Sequence, residues 1–322
     1  MKLLRIVPDG TKFGFVRFRR ISFPFSAFCS IATVIMFLTV GLNFGIDFKG
    51  GTLIELQAKS GKVDVASLRH TLEAFVVGDV EVQEFNNGEG VSLRYQAQPG
   101  GEDAQSIAVK KAHEALDSTY EFRRVETVGP RVSGELVHSG TIGVLLAILA
   151  VLVYLWFRFE MQFAIGAIIG TMHDLLLTVG FFCVTQLEFN QTSIAAILTI
   201  VGYSLNETVV VLDRIREVIR KYKRLSTAEI IDMSINAVLP RTIMTATTVF
   251  LALLALFFLG GHVIRSFSAA MIWGIFVATY SSIFICSPML IYMGVRADTF
   301  DRMREKEIAG ADVKDVKAKE KA

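Results

Sequence analysis

Apolar residues in this chain come in long unbroken runs. Residues 266–295 are 30 positions without an Asp, Glu, Lys or Arg; residues 21–46 are 26, and residues 139–157 are 19. About 20 consecutive apolar residues cross the hydrocarbon core of a bilayer as a helix. The pattern predicts six spans, at residues 21–42, 137–157, 161–185, 189–212, 242–260 and 266–292. Small residues recur every fourth position on two of them. Gly166, Gly170, Asp174 and Thr178 form one row, and Ser266, Ala270, Gly274, Ala278 and Ser282 another. Such rows let helices approach closely in lipid, and a packed bundle accounts for them.

Between the first two spans the pattern changes. Residues 52–57 (TLIELQ) alternate in the manner of a strand, and Val65, Leu68, Leu72 and Phe75 have helical spacing. Val80 and Val82, then Val91, Leu93 and Tyr95, alternate around a turn-rich NNGEG and predict a hairpin. Residues 103–116 predict a second helix with Asp103 as its cap, and residues 120–128 a last strand. The order β-α-β-β-α-β is that of a ferredoxin-like α+β domain, placed at residues 43–136.

Charge gives the orientation. Lysines and arginines number six in the tail 1–20 (among them Lys2 and Arg5), seven in the loop 213–241 and eight in the tail 295–322. The short loops 186–189 and 261–265 carry only Arg265. The positive-inside rule therefore puts both termini in the cytoplasm and the insert outside. Residues 214–237 are charged, then amphipathic, and are expected along the cytoplasmic surface; the tail from 309 is expected to be disordered. The first run is too long for a cleaved signal peptide and reads as an uncleaved signal-anchor.

Composition narrows the classes. The chain has 322 residues, 52% of them hydrophobic, with a net charge of +2. That excludes a soluble globular protein and a disordered one, and speaks against nucleic-acid binding. Cys29, Cys183 and Cys286 all lie in apolar runs, so neither a disulfide framework nor a zinc site is readable. His70, His113 and His138 are scattered, and His262 stands alone. No Walker sequence, nucleophile elbow or His-Glu-x-x-His is present, so neither an enzyme active site nor a cofactor is expected.

The candidate chemistry is ionisable groups at membrane depth, which cost at least about 2.5 kcal/mol each and are therefore functional candidates. Glu207 lies on the fourth span, near Tyr203 and Ser204; Asn206 sits beside it on a stripe with Thr199, Gly202 and Asp213. A proton site and a carboxylate paired for assembly are both open readings. Arg241 opens the fifth span and either pairs with Glu207 or snorkels to the cytoplasm. His173 and Asp174, mid-span on the third helix, are either a proton relay or a structural hydrogen-bond pair. Asp213, in a DRIRE run, is a weaker pathway candidate at a solvated helix end.

Four motifs, in order along nearly the whole chain, carry a resemblance. They are GIDFKGG at 45–51, VGPRVSGELV at 128–137, GYSLNETVVVLDRIRE at 202–217 and PRTIMT at 240–245. Together with six spans and one large insert they resemble the SecF branch of the SecD/SecF protein-export family, in the resistance-nodulation-division superfamily. The resemblance implies half a transporter of that type, in a bacterial inner membrane, pairing with SecD and acting with the SecYEG translocon and YajC on preproteins. The energy source implied is the proton gradient, with Glu207 and Arg241 at the positions tied to proton passage. The glycines and Asp of the first motif (Gly45, Asp47, Gly50, Gly51) stand where a helix gives way to a strand, and Gly129, Pro130 and Gly134 where a strand returns to a helix, an expected hinge. The alternatives are a half-transporter for a small molecule or lipid, and a passive membrane scaffold.

Overall fold

The computed structural model describes residues 8, 10–74, 76–78, 80–85 and 88–295. Lys2, Arg5, Phe75, the first two residues of the NNGEG turn, the side chain of His262 and the tail from 296 lie outside the described residues. The chain forms two compact units. Of the described residues, one comprises those in 42–146 and 186–194, the other those up to 41, in 147–185 and in 195–295.

The first unit contains the insert. Strands β1 (Gly51–Ala58), β2 (Val80–Phe85), β3 (Gly90–Tyr95) and β4 (Tyr120–Val128) make an antiparallel sheet in the order β2-β3-β1-β4. With helices α3 (Val65–Glu73) and α4 (Gly101–Leu116) this is the ferredoxin-like arrangement that the alternating pattern predicts. Its core is Ile54, Leu56, Leu68, Leu72, Val91, Leu93 and Tyr95, with Ala108, Ala112 and Leu116 from α4. Asp64 caps α3, accepting from the N–H groups of Ala66 and Ser67. Asp103 does not cap α4. The helix starts two residues earlier, after Gly100 at φ 116°, because two successive glycines reach backbone angles that stop the chain short of Asp103. The sequence placed this domain at 43–136; residues 186–194 also belong to the same compact unit.

Among the described residues, six helices are long and apolar enough to cross a membrane: Val16–Thr39, Pro130–Arg158, Met161–Thr185, Gln191–Lys221, Thr227–Leu259 and Ile264–Tyr292. The first is a 3-10 turn (Val16–Phe18) followed by α1 (Arg19–Thr39). It ends three residues sooner than the predicted span because Gly41, at φ 74°, returns its N–H to the Met36 carbonyl. A four-residue helix α2 (Ile46–Lys49) precedes β1. Helix α5 (Pro130–Arg158) begins with proline at its first position, where the missing N–H costs nothing. Helix α6 is Met161–Thr185.

The stretch 214–237 corrects the expectation. It is not a separate surface segment: α7 (Gln191–Lys221) and α8 (Thr227–Leu259) both run through it. Ser226 and Glu229 form a capping box that starts α8 fifteen residues before its apolar run. Ile230, Ile231 and Ile235 are buried against Leu212, Ile215, Val218 and Ile219, so the amphipathic pattern marks helix packing and not a membrane surface. Arg241 thus lies inside α8, after the internal Pro240, instead of opening the helix.

The last span is α9 (Gly261–Ser281), one π turn (Ser282–Cys286) and α10 (Ser287–Tyr292). Its small residues do what close packing requires. A Cβ on Gly274 would stand 2.4 Å from Ile200 of α7, and one on Gly166 or Gly170 would meet Cys286 of the π turn.

Candidate functional site

Among the described residues, two buried carboxylates sit within the bundle, and their surroundings differ. Asp174, on α6, is 1% exposed. Its Oδ2 accepts from Ser204 Oγ of α7 (2.5 Å) and Ser281 Oγ of α9 (2.7 Å). Its Oδ1 is 3.1 Å from Nδ1 of His173. Both oxygens are engaged, and the side chain binds three helices at one point. His173 Nε2 is buried without a hydrogen-bond partner among the described residues. The imidazole lies 6.1 Å from the ring of Tyr280, whose hydroxyl donates to the Ser22 carbonyl and is 2.9 Å from Ser26 Oγ of α1.

Glu207, on α7, is 3% exposed and its Oε2 has no hydrogen-bond partner among the described residues. It stands next to Thr242 and interacts through space with Arg241, both on α8, and with Tyr203 one turn back. Among the described residues no ion pair joins Glu207 to Arg241. Arg241 is exposed, so the two readings of it resolve into a nearby charge and not a contact pair.

Asn206 faces the other way. With Thr199 and Gly202 it forms an exposed polar strip on α7, and a Cβ on Gly202 would meet nothing. Arg241 and Thr248 are exposed on α8. Helical spacing grouped Asn206 with Asp213, but Asp213 is taken by Arg158 of α5 at 2.5 Å. Its neighbour Arg216 pairs with Glu160 at 2.5 Å, so the DRIRE run is fastened to residues 158–160.

The glycine motif forms a third constellation. Gly50 and Gly51 have φ of 72° and 126°, and a Cβ on Gly51 would lie 2.3 Å from the Tyr95 carbonyl oxygen. Gly50 also packs on Val128 and Pro130, so the two expected turn motifs meet there. Gly129 accepts the Ser133 N–H through its carbonyl; Gly134 faces open space, and nothing in its surroundings requires glycine. Gly45 approaches Glu188 so closely that a Cβ would collide. Asp47 Oδ2 accepts the N–H of Gln191 (2.9 Å), the first residue of α7.

Sequence reasoning missed Ser281 and Arg94, and named Ser204 only as a neighbour of Glu207 and not as a partner of Asp174. The serines carried a signal, being polar positions in apolar runs at helical spacing. Arg94 carried none, since a charged residue on the second face of a strand is ordinary.

Comparison with known proteins decides the family. The family described as "Protein export membrane protein SecD/SecF, C-terminal" matches residues 108–296, and the "SecD/SecF GG Motif" matches residues 35–62. The chain belongs to the SecD/SecF family. The SecD/SecF C-terminal match takes in Asp174, Glu207 and Arg241; the GG match takes in Gly45, Asp47, Gly50 and Gly51. A "Protein translocase subunit SecF" of Rhodobacter capsulatus is 41% identical, with 94% of each chain covered. A "Protein translocase subunit SecDF" of Brucella abortus is 39% identical over 91% of this chain but only 39% of its own length. The crystal structure of SecDF from Thermus thermophilus, a translocon-associated membrane protein, superposes with a TM-score of 0.77 at 33% identity, covering 88% of this chain and 39% of that one. In these two SecDF proteins the part resembling this chain is one portion of a longer polypeptide.

Proposed function

We propose that this multi-pass membrane protein is a non-enzymatic subunit of the Sec protein-export machinery, lying in the bacterial inner membrane with both termini in the cytoplasm. It pairs with SecD, acts beside the SecYEG translocon and YajC, and uses the proton gradient to move preproteins outward late in export. The SecF and SecDF relatives support the export role, and the single-chain SecDF proteins support the pairing. The polar strips of α7 (Thr199, Gly202, Asn206) and α8 (Arg241, Thr248) add to this. Exposed polar residues on spanning helices face protein or water in preference to lipid, and a partner helix supplies that environment.

The observation that carries the proton role is the buried, hydrogen-bond-free Oε2 of Glu207 within reach of the Arg241 charge. A carboxylate so placed changes its attraction to Arg241 whenever it gains or loses a proton, and α7 and α8 feel the change. Asp174, with both oxygens engaged, is an anchor in this reading. A proton crossing 100 mV delivers about 2.3 kcal/mol. Driving a two-state element from 1:99 to 99:1 takes about 5.5 kcal/mol. Several protons per cycle, or a second carboxylate in SecD, complete the difference. The test is export into inverted membrane vesicles carrying Glu207→Gln with SecD. The variant assembles and loses the part of export that depends on the gradient. Full gradient-stimulated export by that variant refutes the role.

A further inference from the structure

The proton reading leaves the GIDFKGG motif without a task, although it is among the most elaborately fastened parts of the molecule. The motif is bonded to the chain leading into α7. The Phe189 N–H donates to the Asn43 carbonyl (2.7 Å) and the Gly45 N–H to the Phe189 carbonyl (2.8 Å), a short parallel bridge. Asn43 Nδ2 donates to the Gln186 carbonyl (3.0 Å). Phe44, Phe48 and Phe189 form a three-ring cluster with centroids 5.8–5.9 Å apart.

At the centre is the first turn of α7. A helix starts with four N–H groups that have no partner in the helix. Here Asn190 Oδ1 accepts from the Ser193 N–H (3.1 Å), and the Gln191 N–H is taken by Asp47. Asp47 is distant in sequence, so this bond ties α7 to the glycine motif. The strand domain grips the same place. Arg94 of β3 donates to the Phe44 carbonyl (3.1 Å) and to Asn43 Oδ1 (2.9 Å), and pairs with Glu81 and with Glu188 (3.7 Å). Gly50 and Gly51 then lead directly into β1, with the backbone of Gly51 against Tyr95, the residue after Arg94.

We propose that Asp47 is the positioning residue of a rigid joint, in which the glycine motif, braced by Arg94, holds the start of α7 to the ferredoxin-like domain. Helix α7 runs unbroken from Gln191 past Glu207. The joint therefore fixes, within one compact unit, the first turn of the helix that bears the proton carboxylate. This rests on the proton reading of Glu207 only for its purpose; the joint itself is testable without it.

The distinguishing prediction concerns charge. Asp47 acts as a hydrogen-bond acceptor, and asparagine accepts at helix starts as well as aspartate does. Asp47→Asn therefore keeps the joint, whereas Asp47→Ala breaks it. Hydrogen exchange on the full chain in lipid nanodiscs reads the amides of residues 186–193. In Asp47→Ala they exchange on the order of five- to tenfold faster, the loss expected for one cap, and in Asp47→Asn they exchange at the native rate. Gradient-driven export in vesicles containing SecD follows the same order: lost in Asp47→Ala and rescued in Asp47→Asn. Native exchange in Asp47→Ala overturns the joint, and so does export as poor in Asp47→Asn as in Asp47→Ala, which makes Asp47 a charge or proton carrier. Full export by Glu207→Gln with fast exchange in Asp47→Ala overturns the proton reading and leaves the joint standing.

Discussion

Asp174 offers the sharpest separation between an anchor and a carrier. Replacing it with alanine removes three hydrogen bonds at once, those to the hydroxyls of Ser204 and Ser281 and to the imidazole of His173, and Ser281 keeps a second acceptor in the Ala278 carbonyl. Interhelical hydrogen bonds in membrane proteins average about 0.6 kcal/mol, which sets a floor of roughly 2 kcal/mol for three. Orphaned buried groups cost about 1–3 kcal/mol each, and the truncated side chain leaves a void besides. The native site is 1% exposed, so water does not readily relieve the loss. Asp174→Ala should therefore lower the stability of the bundle by about 2–5 kcal/mol. Asp174→Asn keeps one carbonyl acceptor, and a serine hydroxyl turns to accept from the new NH2, so its cost stays near 1 kcal/mol. The assay pairs unfolding of the purified protein in mixed micelles with export into vesicles containing SecD. An anchor predicts that Asp174→Asn exports within about twofold of the native rate, because losing about 1 kcal/mol from a total of about 5–15 kcal/mol leaves nearly every molecule folded. If Asp174→Asn is as stable as the native protein yet loses its response to the proton gradient, the carboxylate carries protons and the anchor assignment is wrong.

Two further outcomes follow from close approaches. Gly274→Val puts methyl groups into Ile200, which is 1% exposed and has no room to retreat; it should cost about 1–3 kcal/mol, and adding Ile200→Ala should recover part of that in an unfolding double-mutant cycle. Gly51→Ala meets both a φ of 126° and the Tyr95 carbonyl oxygen, so the strand domain should lose about 1–3 kcal/mol, read as faster amide exchange in β1 and β3, while Gly134→Ala, inside α5 with open space around it, should leave those amides at the native rate and stabilise the helix by up to about 1 kcal/mol.

Much of the architecture was legible because the forces that set it are periodic. Long apolar runs marked all six spans, four of them free of charge, and alternation marked the strands in the right order. The ends of the spans were not legible, because polar features outside the apolar runs fix them. Gly41 stops α1 early, and the Ser226–Glu229 box starts α8 well ahead of Thr242. Pro240 interrupts the backbone ladder inside α8, yet Ile230, Ile231, Ile235 and Leu239 are buried in one core and keep the helix going. At the site, burial separated two neighbours that sequence joined. Glu207 and Asn206 are adjacent along the chain, but a helix turns about 100° per residue, so one enters the bundle and the other leaves it. The partners of Asp174 on α7 and α9 depend on which helices meet, and single-helix periodicity does not contain that information.

The bridge at Phe44 and Phe189 also fixes an order of construction. Asn43 and Gln186 are 143 residues apart along the chain, and Asp47 and Gln191 are 144. Synthesis runs from the N-terminus, and the strand domain draws its core from residues 54–120 alone. That domain is complete before its distant counterpart has been made. It then waits as a finished docking surface, and the late arrival of residues 186–191 closes the longest loop in the unit in a single step, the kind of remote pairing that sets the pace of maturation.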